Sequence, residues 1–424
     1  MYRIIRFSLG MMVAISFMAG LGFAQTPTSN YQVLYSFGAF SQDGTEPGGR
    51  VVIGAGGVLY GTTTHGGLYP GWGTVFALNP PVSPGGEWTE TQLYLFTGGS
   101  WDGLLPFEVV LGENGTVYGL AAGAAGGTPT ATAFSLTPNG NSWEENTLYL
   151  YGLQEQPTSL YVKADGLYGT TLLGGDSPNC TAYYGCGSIY TLTPAQGGTW
   201  NRKTLFSFPD GNYFNGPLNL LVGNDGKLYG SAQGLVPICA GGCGSVFAIT
   251  PPAPGGDWTG TALHDFTNSN GDGTGGGALL LGKDGALYGT TTYGGKQQSG
   301  IVFSLTPPAK PGGSWTETIL YTFGGLLNTG IGGVNPNSSL VMDKNGVLYG
   351  TALYGGLGEG IVFSLRPPRK QGGRWTERTL HLFDPVPDGA WPVAGLTMGA
   401  DGTLYGTTSG GGEYYLGTVF ALKP

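Results

Sequence analysis

The sequence predicts an all-β chain, a seven-bladed β-propeller of four-stranded blades closed by its own N-terminal strand. Three observations predict it: an extreme glycine content with ample apolar residues, one motif set repeated seven times, and a strand missing from the last repeat that is found at the start of the chain.

Glycine supplies 83 of 424 residues, against a usual share of about 7%. There is no Gly-X-Y period, which excludes collagen. A hydrophobic share of 40% with 12% aromatic residues is too apolar for a disordered chain. The glycines therefore read as turn residues between apolar segments, which is the composition of an all-β protein.

The repeat is marked by Leu-Tyr-Gly at Leu59, Leu167, Leu228, Leu287, Leu348 and Leu404, with Val117-Tyr118-Gly119 as a seventh, variant copy. Before most copies stands a hairpin turn such as Asn114-Gly115, Asp165-Gly166, Asp225-Gly226, Asp284-Gly285, Asn345-Gly346 or Asp401-Gly402, where both central residues favour positive φ. Strand A is the apolar run before that turn, as in 339–342, and strand B begins with Leu-Tyr-Gly. Strand C alternates, as in Val75-Phe76-Ala77-Leu78 and Val302-Phe303-Ser304-Leu305. Strand D opens with Trp88, Trp143, Trp200, Trp258, Trp315 or Trp375, each eight residues before Phe96, Tyr151, Phe208, Phe266, Phe323 or Phe383. Four short strands in a unit of this size describe a propeller blade, and one Trp per unit predicts packing between blades.

The seventh unit ends in strand C at Val419-Phe420-Ala421-Leu422. Tyr31-Gln32-Val33-Leu34-Tyr35-Ser36-Phe37 matches the end of strand D, as in Ile319-Leu320-Tyr321-Thr322-Phe323. The first strand is thus expected to complete the last blade. A solenoid would need caps instead.

Residues 1–24 read as a signal peptide: Arg3 and Arg6, an apolar run from Phe7 to Phe23, and Gly22-Phe23-Ala24 before a cut at Gln25. Residues 25–424 then form a single propeller domain, secreted or periplasmic, with no membrane span after signal removal, expected to act as a monomer. Cys180, Cys186, Cys239 and Cys243 fit an oxidising compartment, where two local disulfides, Cys180–Cys186 and Cys239–Cys243, are favoured over a four-cysteine zinc site.

The pattern Asp-Gly-x-Leu-Tyr-Gly-Thr-Thr, Gly-Thr-Val-Phe-Ser-Leu-x-Pro-Pro and Gly-Gly-x-Trp-Thr-Glu-x-x-Leu-Tyr-x-Phe resembles the GloVer tandem repeat of secreted bacterial "choice-of-anchor" proteins. The resemblance covers nearly all of residues 25–424 and implies export and a propeller-like repeat. It brings no catalytic motif. Members often carry a C-terminal sorting anchor, which is not expected here because the chain ends on a blade strand.

Only 10% of residues are charged and the net charge is −9, so no basic footprint for nucleic acid is present. In a propeller with strand A innermost, the B–C and D–A loops share one face, and these loops vary between units. They hold Trp72, Trp101 and Trp391, and Tyr69, Tyr183, Tyr184, Tyr213, Tyr414 and Tyr415, besides all four cysteines. Flat aromatic faces with polar edges suit sugar rings and peptide side chains, so the expected function is binding of a glycan or an extracellular protein. The alternatives are a polysaccharide-processing or lyase-type enzyme with its site at the channel mouth, and a structural surface or matrix component. For catalysis, only His65 with Asp102 stands out, since His264 and His381 occupy an ordinary strand D position. No cofactor is expected. The run holding Asn268, Asn270 and Asp272 resembles half a calcium loop, with one carboxylate and no distal Glu.

Overall fold

The computed structural model describes residues 30–67, 71–99, 102–123, 131–152, 154–177, 180, 185–209, 216–234, 244–269, 271–310, 312–324, 333–336, 338–356, 358–370 and 372–424. They form seven antiparallel blades, each with four strands in the order A-B-C-D and strand A innermost, and in blade five Gly273–Gly276 adds a short extra strand beside strand B. In blade one, strand A is Val52–Ile53, B is Leu59–Thr63, C is Thr74–Asn79 and D is Thr89–Leu95. In blade seven, Thr397–Met398, Leu404–Thr408 and Thr418–Lys423 supply A to C. Asn30–Ser36 supplies strand D, antiparallel to Thr418–Lys423, with Tyr31 opposite Leu422. The N-terminal strand closes the ring, as the repeat pattern predicts.

Each element of the motif has a packing reason. The glycine of Leu-Tyr-Gly lies flat beneath the strand C aromatic of its own blade. A Cβ on Gly61 would stand 2.5 Å from the Phe76 ring, and one on Gly406 2.5 Å from Phe420, so any larger residue would displace a fully buried ring. The aromatic that ends strand D then meets the strand C aromatic of the next blade, edge to face. Phe96–Phe134, Phe208–Phe247, Phe266–Phe303, Phe323–Phe363 and Phe383–Phe420 have ring centroids 5.1–5.3 Å apart. Phe37–Phe76 makes the same contact at 5.1 Å across the closure. Between blades two and three it is Tyr151 and Tyr190, whose buried hydroxyls bond each other.

The strand D tryptophans act between blades, as their repetition suggests. Trp143 packs on Tyr60, Trp200 on Tyr118, Trp315 on Tyr229 and Trp88 on Tyr405, each on strand B of the preceding blade. The C–D pairing carries a β-bulge in every blade, for example between Val75 and Phe76 and between Val302 and Phe303. The unpaired residue is always Leu: Leu34, Leu93, Leu148, Leu205, Leu263, Leu320 or Leu380. A bulge adds local twist and here turns that Leu into the apolar layer between blades.

Candidate functional site

The variable face is built on a second repeated device. Where the chain enters strand A stands a residue with φ of 52° to 66°, followed by Pro: Glu46, Leu105, Gly216, Asn335 and Trp391. Its N–H donates to the B–C loop of the preceding blade, at Leu416, Trp72, Cys186, Ser299 and Glu359, over 2.7–3.0 Å. For Glu46, Gly216, Asn335 and Trp391 the carbonyl accepts from the end of strand B in its own blade, at Thr64, Gln233, Leu353 and Ser409. The backbone staples two blades, so the side chain is released from structural duty and can differ in each unit. This accounts for variable residues on a rigid frame.

At blade seven that position carries Trp391, which is 46% exposed, and the adjoining B–C loop carries Tyr414 and Tyr415, at 42% and 67%. Ala390 and Gly410 pair across the two loops, and the Trp391 ring lies over Gly410. Trp72 is half-buried against the core between blades one and two, its indole covers Gly98, and its carbonyl accepts from Leu105. Trp101, Tyr69, Tyr183, Tyr184 and Tyr213 lie outside the described residues, as do Cys239, Cys243 and residues 1–24. Cys180 and Cys186 form the expected disulfide, with Cα atoms 5.9 Å apart.

His65 and Asp102 take separate partners. His65 Nδ1 is 3.2 Å from Glu46 Oε2. Asp102 accepts from Tyr94 Oη at 2.8 Å and from the Thr97 N–H, which makes it a tie between strand D and its following loop. Asp272 faces His264 and also binds the Thr267 and Gly273 N–H groups. Asn268 Oδ1 instead accepts from Gln298 Nε2 at 3.1 Å, and Asn270 lies outside the described residues.

Sequence reading expected a channel but missed the residues that line it. A cavity of about 630 Å³ runs along the strand A lining. The residue that precedes the apolar strand A position packed between blades forms one ring around it: Arg50, Glu108, Ser159, Asn219, Ala278, Ser339 and Gly395. Only Arg50 and Glu108 are charged, and they occupy neighbouring blades. Glu108 Oε2 accepts from the Leu160 N–H at 2.9 Å. Burial pushes its carboxyl up to about 7, against the pull of that bond and of Arg50. Aligning the seven A strands would have exposed this pair. The opposite face holds a cleft of about 800 Å³ between blades four and five, lined by Tyr229, Pro307, Pro308 and Trp315. It is framed by the same Trp–Tyr packing found at other interfaces, and so belongs to the architecture.

Strand D adds a third pattern. Its penultimate residue bonds an acid in the following loop, as Tyr35 does with Asp43 at 2.9 Å and Tyr94 with Asp102. An acid two residues after the next blade's Trp completes the group. Burial, with repulsion from Asp43, pushes Glu90 up to about 7, and burial with Asp102 does the same to Glu145. In blade three Arg202 replaces this acid and pairs with Glu155 at 2.9 Å. Between blades four and five His264, Asp272 and Glu317 converge, with donor atoms within 4.8 Å of one another.

Seven blades with one motif set match a known repeat. The Gloeobacter/Verrucomicrobia repeat family matches residues 156–420. The chain belongs to the Gloeobacter/Verrucomicrobia repeat family. The matched span runs from blade three into blade seven. Blades one and two repeat the Tyr-Gly and Trp positions of the matched blades at Tyr60-Gly61, Tyr118-Gly119, Trp88 and Trp143. No curated protein matches the sequence. Among solved structures, Kuenenia stuttgartiensis hydrazine synthase is similar at 14% identity and a TM-score of 0.53, over 91% of this chain and 98% of that one. Polysaccharide lyase Uly1 is similar at 13% identity and a TM-score of 0.49, over 94% of each chain. At 14% identity the likeness to hydrazine synthase is one of fold alone. Among the described residues of this repeat protein, no helix is long and apolar enough to cross a membrane.

Proposed function

We propose that this propeller is an exported binding protein that takes up a glycan on its variable face, in the sector formed by blades seven, one and two. One observation carries the reading: Trp391, Tyr414 and Tyr415 stand open to solvent on loops whose backbones are tied to each other and to the neighbouring blade. Exposed aromatic groups on a fixed frame lose little entropy on binding, and their faces stack on the apolar side of sugar rings. Polar recognition comes from the same sector. Trp391 leads into Val393 and Gly395 of the channel wall, and Arg50, Glu108 and the Glu46–His65 pair belong to blades one and two. A low charge content supports a neutral or weakly charged ligand. A disulfide in the same set of loops is compatible with the oxidising compartment that export would supply.

A second reading, a polysaccharide-processing enzyme, is favoured by Glu108 alone. A carboxyl that titrates near neutrality in a channel mouth is suited to general acid–base chemistry.

A pull-down on insoluble peptidoglycan, cellulose and chitin, with a panel of soluble polysaccharides as competitors, tests both. Retention of the wild type and its loss in Trp391→Ala supports the binding reading. Equal retention of that variant rejects it. Glycan turnover abolished by Glu108→Gln would instead establish the enzyme.

A further inference from the structure

We infer that His264, Asp272 and Glu317 form a site for one divalent cation of the zinc class, bridging blades four and five. The argument is a comparison among the blades themselves. At the corresponding place in other interfaces a Tyr hydroxyl reaches the loop acid directly, at 2.9 Å for Tyr35–Asp43 and 2.8 Å for Tyr94–Asp102. In blade four the Tyr is replaced by His264. Its Nε2 stops 3.5 Å from Asp272 Oδ1 and 3.9 Å from Glu317 Oε1, both longer than a good hydrogen bond. His264 Nε2 and Glu317 Oε1 are shielded from solvent and have no hydrogen-bond partner among the described residues. Orphaned buried polar atoms are costly unless something pairs them.

The spacing fits a coordination sphere. Bonds of about 2.0–2.2 Å to imidazole nitrogen and carboxylate oxygen, arranged tetrahedrally, set neighbouring donors about 3.3–3.6 Å apart. The observed 3.5 and 3.9 Å from His264 lie at and just beyond that edge, and the Asp272 and Glu317 donors lie within 4.8 Å of each other. One imidazole with two carboxylates is a donor set for zinc or a neighbouring transition metal, whereas calcium prefers more oxygens. The donors are also held in place. Asp272 Oδ1 accepts from the Gly273 N–H and Oδ2 from the Thr267 N–H, both at 2.8 Å. The His264 ring packs edge-on against Phe266. Such outer partners orient metal ligands.

His381, the counterpart in blade six, supplies the contrast. Its Nε2 lies 3.0 Å from Asp388 Oδ2, and its ring stacks on Tyr31 at 3.7 Å. Tyr31 occupies the place of Glu317 there, so the second carboxylate is replaced by a phenol. That interface offers one imidazole and one carboxylate under an aromatic lid, one ligand group short of the set between blades four and five.

The test uses the full chain, stripped with EDTA and titrated with zinc chloride by calorimetry and by thermal unfolding. One zinc per chain is expected, with a rise in Tm that EDTA reverses, and no rise with calcium at the same concentration. His264→Tyr restores the repeat's own arrangement, so the variant should fold and unfold in EDTA at least as well as the wild type. It should bind zinc at least about tenfold more weakly, since even loss of an outer partner costs that much. Glu317→Gln should weaken binding as well. His381→Tyr should bind zinc like the wild type. Absence of stoichiometric zinc binding by the wild type, or equal binding by His264→Tyr, would overturn the inference.

Discussion

Phe37 packs its ring edge-on against Phe76, centroids 5.1 Å apart, and so joins the N-terminal strand, which completes blade seven, to strand C of blade one. Both rings are fully buried. The same contact recurs at every interface between consecutive blades, so closure uses the lock that holds the rest of the ring.

Replacing Phe37 by Ala should therefore destabilise the protein as a core substitution does, by about 3–5 kcal/mol. Denaturant unfolding checks this against Val82→Ala, which alters a fully exposed loop residue. An unchanged midpoint for Phe37→Ala would mean that the first strand does not close the ring.

Gly61 and Gly406 sit under Phe76 and Phe420, where an added Cβ would meet the ring at 2.5 Å. Gly61→Ala should cost roughly 1–3 kcal/mol by overpacking. Gly226→Ala removes a glycine with open space around it, at a φ of 79°. Its cost comes from backbone strain, with no displacement of core rings. Near-ultraviolet circular dichroism separates them: the aromatic signal should change for Gly61→Ala and stay constant for Gly226→Ala.

Stability should be greatest in mildly acidic solution. Glu90, Glu108 and Glu145 are pushed up to about 7 by burial first. Between an unfolded value of about 4.3 and that folded value, the native state holds protons that the unfolded chain has released. Stability therefore falls as pH rises through this window. On the acid side, Asp225 is held below the usual carboxylate range: burial works against this, but bonds from Tyr229 and the Lys227 N–H prevail. Its contribution is lost as pH falls through its folded value. Tm at pH 5 should exceed Tm at pH 8, and Glu108→Gln should flatten part of the difference. A Tm that climbs from pH 5 to pH 8 would contradict the assignment.

Cys180 and Cys186 close a short loop, with a sequence separation of 6. Loop-closure entropy then gives the disulfide about 2 kcal/mol. The double Ser variant should lose about that much in denaturant unfolding, and a reductant should lower the wild type by at least as much.

The blades were legible because their signals are local. Trp followed eight residues later by Phe, and Leu-Tyr-Gly after a turn, each mark one strand. That Asn30–Ser36 completes the last blade could be read because it keeps the strand D pattern. The Glu108–Arg50 pair was not seen, because strand A is as short as two residues in several blades and its alignment becomes clear only once the channel is drawn. His264 was read rightly as a strand D residue. Its partners were hidden, because Asp272 comes from the next loop and Glu317 from the next blade. The packing of Trp72 was not legible either: its carbonyl serves as a staple to Leu105 and its ring as cover for Gly98.

The claim that the variable face binds a glycan is tested most directly by measuring affinity for whichever polysaccharide retains the wild type. The variants are the triple Trp391→Ala, Tyr414→Ala, Tyr415→Ala and, as a control, Tyr293→Ala, which removes an exposed aromatic from blade five. Loss of about 2 kcal/mol or more of binding in the triple variant, with none in the control, is the predicted result. Equal affinity of all three proteins, or no binding of any glycan by the wild type, would contradict it.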